Sequence, residues 1–156
     1  MIGGVSHPAM KFLFALLWCL PVIALAGLGD TESQCLDKLG PSVNQTAGSG
    51  IGEKLVFYEK GGFGIGVEYW KGKAACLFYK KTLRSEKPTD EEIRDFLAES
   101  ESGSYWEGSS VIGEGKRWAR KDGKALAHYN SQQGLLIIMT DEFALERMKK
   151  KEASGQ

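Results

Sequence analysis

Four glycines lie within the first six residues of the stretch GGFGIGVEYW, residues 61–70. Glycine at this density can cradle a phosphate, because backbone N–H groups can then approach the anion closely. A dinucleotide-binding loop, however, joins a strand to a helix, whereas here Gly62, Gly64 and Gly66 alternate and the chain continues as Val-Glu-Tyr-Trp. No glycine of the chain precedes Lys-Ser or Lys-Thr, as a P-loop requires. The stretch is therefore interpreted as a β-strand with one bare face.

The alternation of a strand sends Val67 and its apolar neighbours to one face and the glycines to the other. A two-residue turn at Lys71-Gly72 would place Val67 opposite Cys76, which brings this cysteine to the apolar face. On the other face, the sequence predicts a glycine furrow with an apolar and aromatic rim as the candidate binding face. Its members are Gly62, Gly64, Gly66, Glu68, Trp70, Leu55, Phe57, Leu77 and Tyr79.

A row of glycines in a strand usually marks close approach by another group. Two occupants of the furrow remain open at this point. One is an aromatic ring from elsewhere in the same chain, such as a neighbouring strand or the loop at 41–52. The other is a binding partner, for which the apolar rim would form the contact surface.

The N-terminus has the pattern of a secretory signal. Lys11 precedes the apolar run FLFALLWCLPVIALAG, and small residues stand at Ala24 and Ala26. We predict a signal peptide over 1–26, cleaved after Ala26, and a periplasmic or extracellular protein without a stable membrane anchor. The alternative is an uncleaved anchor, since residues 12–29 reach the lower limit of a membrane span, although Pro21 interrupts the run.

Cleavage would leave two cysteines, Cys35 and Cys76, in the exported chain. An even number of cysteines in an oxidising compartment predicts a disulfide, and a helix over the apolar face would present Cys35 to Cys76. The alternative is a metal or catalytic pair, which the absence of CxxC spacing disfavours. The 20 basic and 20 acidic residues of the full chain balance, so charge gives no reason to expect nucleic acid as a partner.

Catalytic patterns are absent from the sequence. His128 is the only histidine after the predicted signal, and no G-x-S-x-G elbow accompanies it. Zinc catalysis would need three protein ligands, which one histidine and a paired cysteine do not supply. The acidic run at 90–92 suits a helix N-terminus rather than a glycosidase pair. The sequence therefore predicts no enzyme, no metal site and no cofactor.

The periodicity of the chain alternates between helices and strands. Thr89 and Glu92 form a capping box for a helix over 87–101. Other helices are predicted over 30–40 and from about Thr140 to Lys151. Strands are predicted over 54–60, 63–70, 73–80, 115–121, 124–130 and 134–140, with a loop or irregular strand between 101 and 114.

Both halves of this pattern run from a helix into three antiparallel strands. The segment GKAACLFY, residues 72–79, also resembles GKALAHYN, residues 123–130. We predict an α+β fold, with helices packed on an antiparallel sheet and two tandem αβββ units, 27–86 and 87–156, in one compact globular domain. The alternative is chance convergence of two hairpins.

Several residues resemble those of small uncharacterised exported bacterial proteins. Those proteins carry an early helical cysteine followed by Gly-Pro, a GK hairpin and a later W-x-R-x-DG-x-A-x-x-Y pattern. The matching residues here are Cys35, Gly40, Pro41, Gly72, Lys73, Trp118, Arg120, Asp122, Gly123, Ala125 and Tyr129, with slightly different spacing. That set implies no particular activity.

The order of elements resembles the beta-lactamase inhibitory protein and small outer-membrane assembly lipoproteins of related fold. These proteins bind other proteins through exposed sheets or loops, which is what the resemblance implies here; their lipidated cysteine has no counterpart. We therefore expect an exported, non-catalytic binding protein whose partner is another envelope or secreted protein. The alternatives are a small-ligand-binding protein, with a pocket near the loops at 41–52 and 101–114, and a structural envelope component.

Overall fold

A computed structural model describes residues 25–112 and 115–155 of the chain. It contains one eight-stranded, fully antiparallel sheet and three helices, so the predicted α+β class is confirmed. The helices are α1 (Glu32–Leu39), α2 (Asp90–Glu99) and α3 (Asp141–Ala153). The strands are β1 (Asn44–Ala47), β2 (Lys54–Lys60), β3 (Phe63–Trp70), β4 (Lys73–Lys81), β5 (Trp106–Ile112), β6 (Gly115–Arg120), β7 (Ala125–Asn130) and β8 (Leu135–Thr140).

The strands lie in the order β1-β2-β3-β4-β8-β7-β6-β5. Helix α1 precedes a four-stranded meander, and α2 precedes a second one; the two meanders join where β4 pairs with β8. The prediction gave three strands to each half. It omitted β1, a short polar edge strand, and left β5 as a loop or irregular strand.

Local sequence determines where the helices begin. Thr31 and Thr89 each form a complete capping box, with Gln34 and Glu92 respectively, and each threonine side chain accepts a backbone N–H of the first turn. Thr140 caps α3 through the N–H of Phe143. The predicted capping box of α2 is thus confirmed, although the helix is shorter than predicted, at ten residues.

The main core lies on one face of the sheet, which we call the inner face. Helices α1 and α2 cover it, and their buried residues join those of the central strands in one apolar cluster. Phe96 of α2 stacks on Tyr79 with ring centroids 4.0 Å apart and meets the edge of Phe63 at 4.9 Å. Such ring pairs add to the burial energy of the aromatic side chains.

The segment 25–30 packs on this core and bonds to residues of both halves, Ala74 and Tyr79 of β4 and Ser100 at the end of α2. Ala26 is fully buried, and its carbonyl accepts a hydrogen bond of 2.7 Å from the Tyr79 hydroxyl. The Leu28 N–H donates to Ser100 Oγ, and Gly29 and Asp30 exchange backbone bonds with Ala74. The predicted signal segment lies mostly outside the described residues, but Leu25 and Ala26, its last two members, belong to the folded core.

A β-bulge in β4 changes the predicted register. The hairpin turn at Lys71-Gly72 forms as predicted, with both residues at positive φ, and Tyr69 lies opposite Ala74. Beyond that pair the register shifts by one residue, so that Glu68, not Val67, lies opposite Cys76. The bonds between Ala74 and residues 29–30 accompany this shift, and they involve a segment far from β4 in sequence.

Candidate functional site

The bulge separates the two cysteines. Cys35 belongs to the core of the inner face, whereas Cys76 packs with Ala75 and Phe143 on the opposite face, which we call the outer face. Both are free, buried thiols. The predicted Cys35–Cys76 disulfide is therefore not formed in this structure, because the one-residue shift turns Cys76 away from α1.

Neither thiol is placed for nucleophilic chemistry. Burial raises the pKa of the Cys76 thiol, and the neighbouring Glu68 raises it further. Burial also raises the pKa of Cys35, although a hydrogen bond with Tyr69 opposes this effect. A reactive cysteine needs an accessible thiolate, so the two thiols behave as small apolar core groups.

The structure divides the predicted furrow residues between three places. Gly64, Gly66, Glu68 and Trp70 line the outer face of β3, flanked by Leu55 and Phe57 of β2. Leu77 and Tyr79 are fully buried on the inner face, because the bulge exchanges their positions with those of Cys76 and Phe78. Gly62 lies in the β2–β3 turn, at a φ of 79° that favours glycine.

Phe78 takes the place that the prediction gave to Leu77 and Tyr79. Its ring leans over Gly66, where an added Cβ would lie 3.2 Å from Phe78 Cδ2 and 3.5 Å from Leu55 Cδ1. At Gly64, in contrast, the nearest atom to an added Cβ is the Lys80 carbonyl oxygen at 3.8 Å. The same chain therefore fills the furrow at Gly66 and leaves it open at Gly64.

The loop 48–52 closes the furrow at Glu68. This carboxylate is fully buried, and Oε1 accepts hydrogen bonds of 2.5 Å from the Ser49 N–H and 2.8 Å from its hydroxyl. A Cβ on Gly52 would overlap the carboxylate, so the loop can approach only because this residue is glycine. Glu68 thus fastens the loop to the sheet. Because its carboxylate is closed off from solvent, a substrate cannot reach it.

Helix α3 covers the Trp70 end of the same face. Phe143, its one fully buried residue, packs against Trp70 with centroids 5.8 Å apart. Lys71 Nζ lies 4.1 Å from the Trp70 ring centroid, a cation–π distance. Trp70, predicted as an end of the binding face, thus holds α3 against the sheet.

A row of side chains on the outer face lies beside α3 without a described helix over it. Cross-strand pairing aligns Phe57, Gly66, Phe78, Ile137 and His128 across five strands. The four members with side chains are all partly exposed. In the next row Leu126 is 40% exposed. We call Phe57, Phe78, Ile137, His128 and Leu126 the outer patch.

Sequence reasoning identified only Phe57 of this patch. Ile137 and Leu126 alternate with core residues of β8 and β7, but the sequence run LLIIMT is apolar on both faces and does not show which side is exposed. The bulge places Phe78 on this face, where the predicted register places Leu77 and Tyr79. The pairing of β4 with β8 joins the two halves into one surface, and the sequence does not reveal this pairing.

The tryptophan–arginine pattern of the second half has a structural role here. Trp118 is half-buried against the inner core, opposite Ala127. Arg120 is buried, donating to Asp122 Oδ1 at 2.9 Å and to the Ser100 carbonyl at 2.8 Å. The Arg120 bond lowers the pKa of Asp122. These contacts tie the β6–β7 turn to the end of α2.

Within residues 25–112 and 115–155, no group of three or more His, Cys, Asp or Glu side chains could hold a metal ion. No helix of this described part is long and apolar enough to cross a membrane. The side chain of His128 lies on the outer patch, opposite Arg117 of β6.

No family model matches the chain, and a search of curated proteins gives no match either. One similar solved structure is a crystal structure of an extracellular protein containing an SCP domain from Bacillus anthracis. The alignment covers 93% of this chain and 52% of that one, with 10% identity and a TM-score of 0.45. This chain thus spans about half the length of that protein, and a likeness at this level does not indicate a function.

Proposed function

We propose that this is an exported, non-catalytic binding protein of the bacterial envelope, and that its partner is another envelope or secreted protein. The observation that carries the proposal is the outer patch, a contiguous apolar surface beside α3. Its apolar side chains are Phe57, Phe78 and Ile137 of one cross-strand row and Leu126 of the next. Neighbouring apolar side chains that stay partly exposed are typical of surfaces that bind other proteins.

The polar surroundings of the patch favour a protein partner. Lys80 lies in the row beside Phe78, and Arg117 continues the central row beyond His128. An apolar centre with a polar rim is the usual organisation of a protein interface. We further propose that the two helix-plus-meander halves are tandem units of an internal repeat, joined at the β4–β8 pair.

Export is part of the proposal and is supported by the N-terminal pattern of Lys11, an apolar run and small residues at Ala24 and Ala26. The outer patch would then meet its partner in the periplasm or outside the cell. Two free thiols do not argue against export, because both are buried away from oxidants.

Site-specific photo-crosslinking in intact cells tests the interface. A photoreactive amino acid replaces Leu126 on the outer patch or, as a matched control, Leu36 of α1 on the opposite side of the sheet. The two leucines are 40% and 49% exposed, so accessibility alone does not separate them. We expect one discrete adduct with a second protein from position 126 and none from position 36.

A second variant tests whether the adduct depends on the patch. Ile137→Lys places a charge beside Leu126 on a partly exposed position and should abolish the adduct while the protein stays folded, as circular dichroism would show. Equal adducts from both crosslinker positions, or an adduct that Ile137→Lys leaves unchanged, would remove the outer patch as the interface.

A further inference from the structure

A groove of about 590 Å³ lies between α3 and the loop 48–52, apart from the outer patch. Phe143 anchors the first turn of α3 to the sheet, and beyond it the helix leaves the groove open. Its apolar lining consists of Ile51, Met139, Ala144 and Met148. The volume lies in the range of small-ligand sites, whose walls are mostly apolar with a few polar groups.

The charged side chains of this groove are all cations. Arg147, Lys150 and Lys151 line it, and no carboxylate does so in the described part of the chain. Ala144, Arg147, Met148 and Lys151 follow the i, i+3, i+4 spacing that places side chains on one stripe of a helix. The stripe therefore combines apolar and cationic side chains.

Two nearby carboxylates are occupied elsewhere. Glu146 pairs with Lys149 at 2.8 Å, and neither lines the groove. Glu68 is buried beneath the loop, where Ser49 donates to it. Lys150 donates to the Gly50 carbonyl at 2.8 Å, and the Arg147 guanidinium lies 5.6 Å from the Phe143 ring centroid. Among the described residues, no ion pair satisfies Arg147 or Lys151.

We propose that this groove binds one acyl chain that ends in a carboxylate, as in a medium-chain fatty acid. The chain would lie along Ile51, Met139 and Met148, and the guanidinium of Arg147 would bind the carboxylate with two parallel hydrogen bonds. A neutral apolar ligand would leave the cations unpaired, and a purely ionic ligand would leave the apolar walls without contact. The proposal does not depend on the outer patch or on its protein partner.

Isothermal titration calorimetry with three probes tests this chemistry, each kept below its aggregation concentration. Laurate has both the chain and the charge, dodecanol has only the chain, and butyrate has the charge with a short chain. We expect saturable one-to-one binding of laurate and at least tenfold weaker binding of either other probe, because each loses one half of the interaction.

Two substitutions on the same helix locate the site. Arg147→Met should weaken laurate binding about tenfold or more, since it removes the charge-assisted hydrogen bonds and keeps an apolar side chain. Lys149→Met removes the same unit of charge from a residue outside the groove, and binding should stay unchanged. Thermal unfolding of both variants confirms that the fold is retained.

Absence of laurate binding to the wild-type protein would overturn the proposal. Equal weakening by the two substitutions would also overturn it, because binding would then reflect only the general charge of α3. Crosslinking from position 126 reports on the outer patch independently, so either proposal can fail without the other.

Discussion

The two faces of the sheet are closed in different ways. Two capped helices and the segment 25–30 cover the inner face, which contains a continuous core from Val56 to Ile138. The outer face is covered only in part, by α3 through Phe143 and by the loop 48–52 through Glu68. The comparison indicates that the inner face supplies most of the stability, while the outer face retains partly exposed apolar side chains and an open groove.

Labelling of the two thiols tests this arrangement, because one thiol is buried on each face of the sheet. In the chain from Leu25 onward, without reductant, we expect no alkylation of either cysteine in the native state and alkylation of both in denaturant. Mass spectrometry counts the labels. A chain that takes up label in denaturant only after reduction would contain a disulfide, and the separation of the two cysteines would be wrong.

Adjacent isoleucines of β8 compare the two faces directly. Ile138 is fully buried on the inner face, and Ile137 is partly exposed on the outer patch. We expect Ile138→Ala to lower the free energy of unfolding by about 2–5 kcal/mol, through lost burial and the cavity left behind. Ile137→Ala should cost about 1 kcal/mol or less, because the residue is only half-buried. Urea unfolding measures both, and equal losses would contradict the difference between the faces.

The start of the folded chain tests how the inner face is sealed. A protein that begins at Gly27, after the predicted cleavage, lacks the Ala26 carbonyl that the buried Tyr79 hydroxyl bonds. We expect it to be less stable than a protein that begins at Leu25, by about 1–3 kcal/mol for an unsatisfied buried hydroxyl. Cleavage after Ala24 would keep both residues.

A double-mutant cycle isolates that hydrogen bond. Tyr79→Phe removes the hydroxyl from both forms of the chain and should shrink the difference between them by the share that the hydrogen bond contributes. If the difference persists in full, the loss comes from the burial of Leu25 and Ala26 alone. The N-terminal residue of the exported protein, read by intact mass, then shows which form the cell produces.

Much of the fold follows from local sequence. The capping threonines, the apolar composition of the six predicted strands and the Lys71-Gly72 turn each act within a few residues, so their effects could be predicted. The short edge strand β1 has four exposed residues and no such signal. The joining of the two meanders at β4–β8 depends on residues about sixty positions apart, which periodicity does not reveal.

The candidate site was harder to predict, because one extra residue in β4 decides which side chains share a face. The backbone of Ala74 hydrogen-bonds to Gly29 and Asp30, and the strand register shifts by one residue beside Ala74. This exchange buried Leu77 and Tyr79, moved Phe78 to the outer face and separated the cysteines. The glycines themselves were assigned to the correct strand face, apart from Gly62 in the turn.

Two glycines sharpen the comparison within the outer face. Gly52→Ala should destabilise the protein by about 1–3 kcal/mol, because its Cβ would overlap the buried Glu68 carboxylate and push the loop outward. Gly64→Ala should stabilise it by about 0.5 kcal/mol, since an added Cβ has room there and the strand loses its most flexible residue. Thermal and urea unfolding of both variants give the signs. If Gly64→Ala also destabilises the protein, the furrow is closed at that end, and the outer face is covered more completely than its partly exposed side chains indicate.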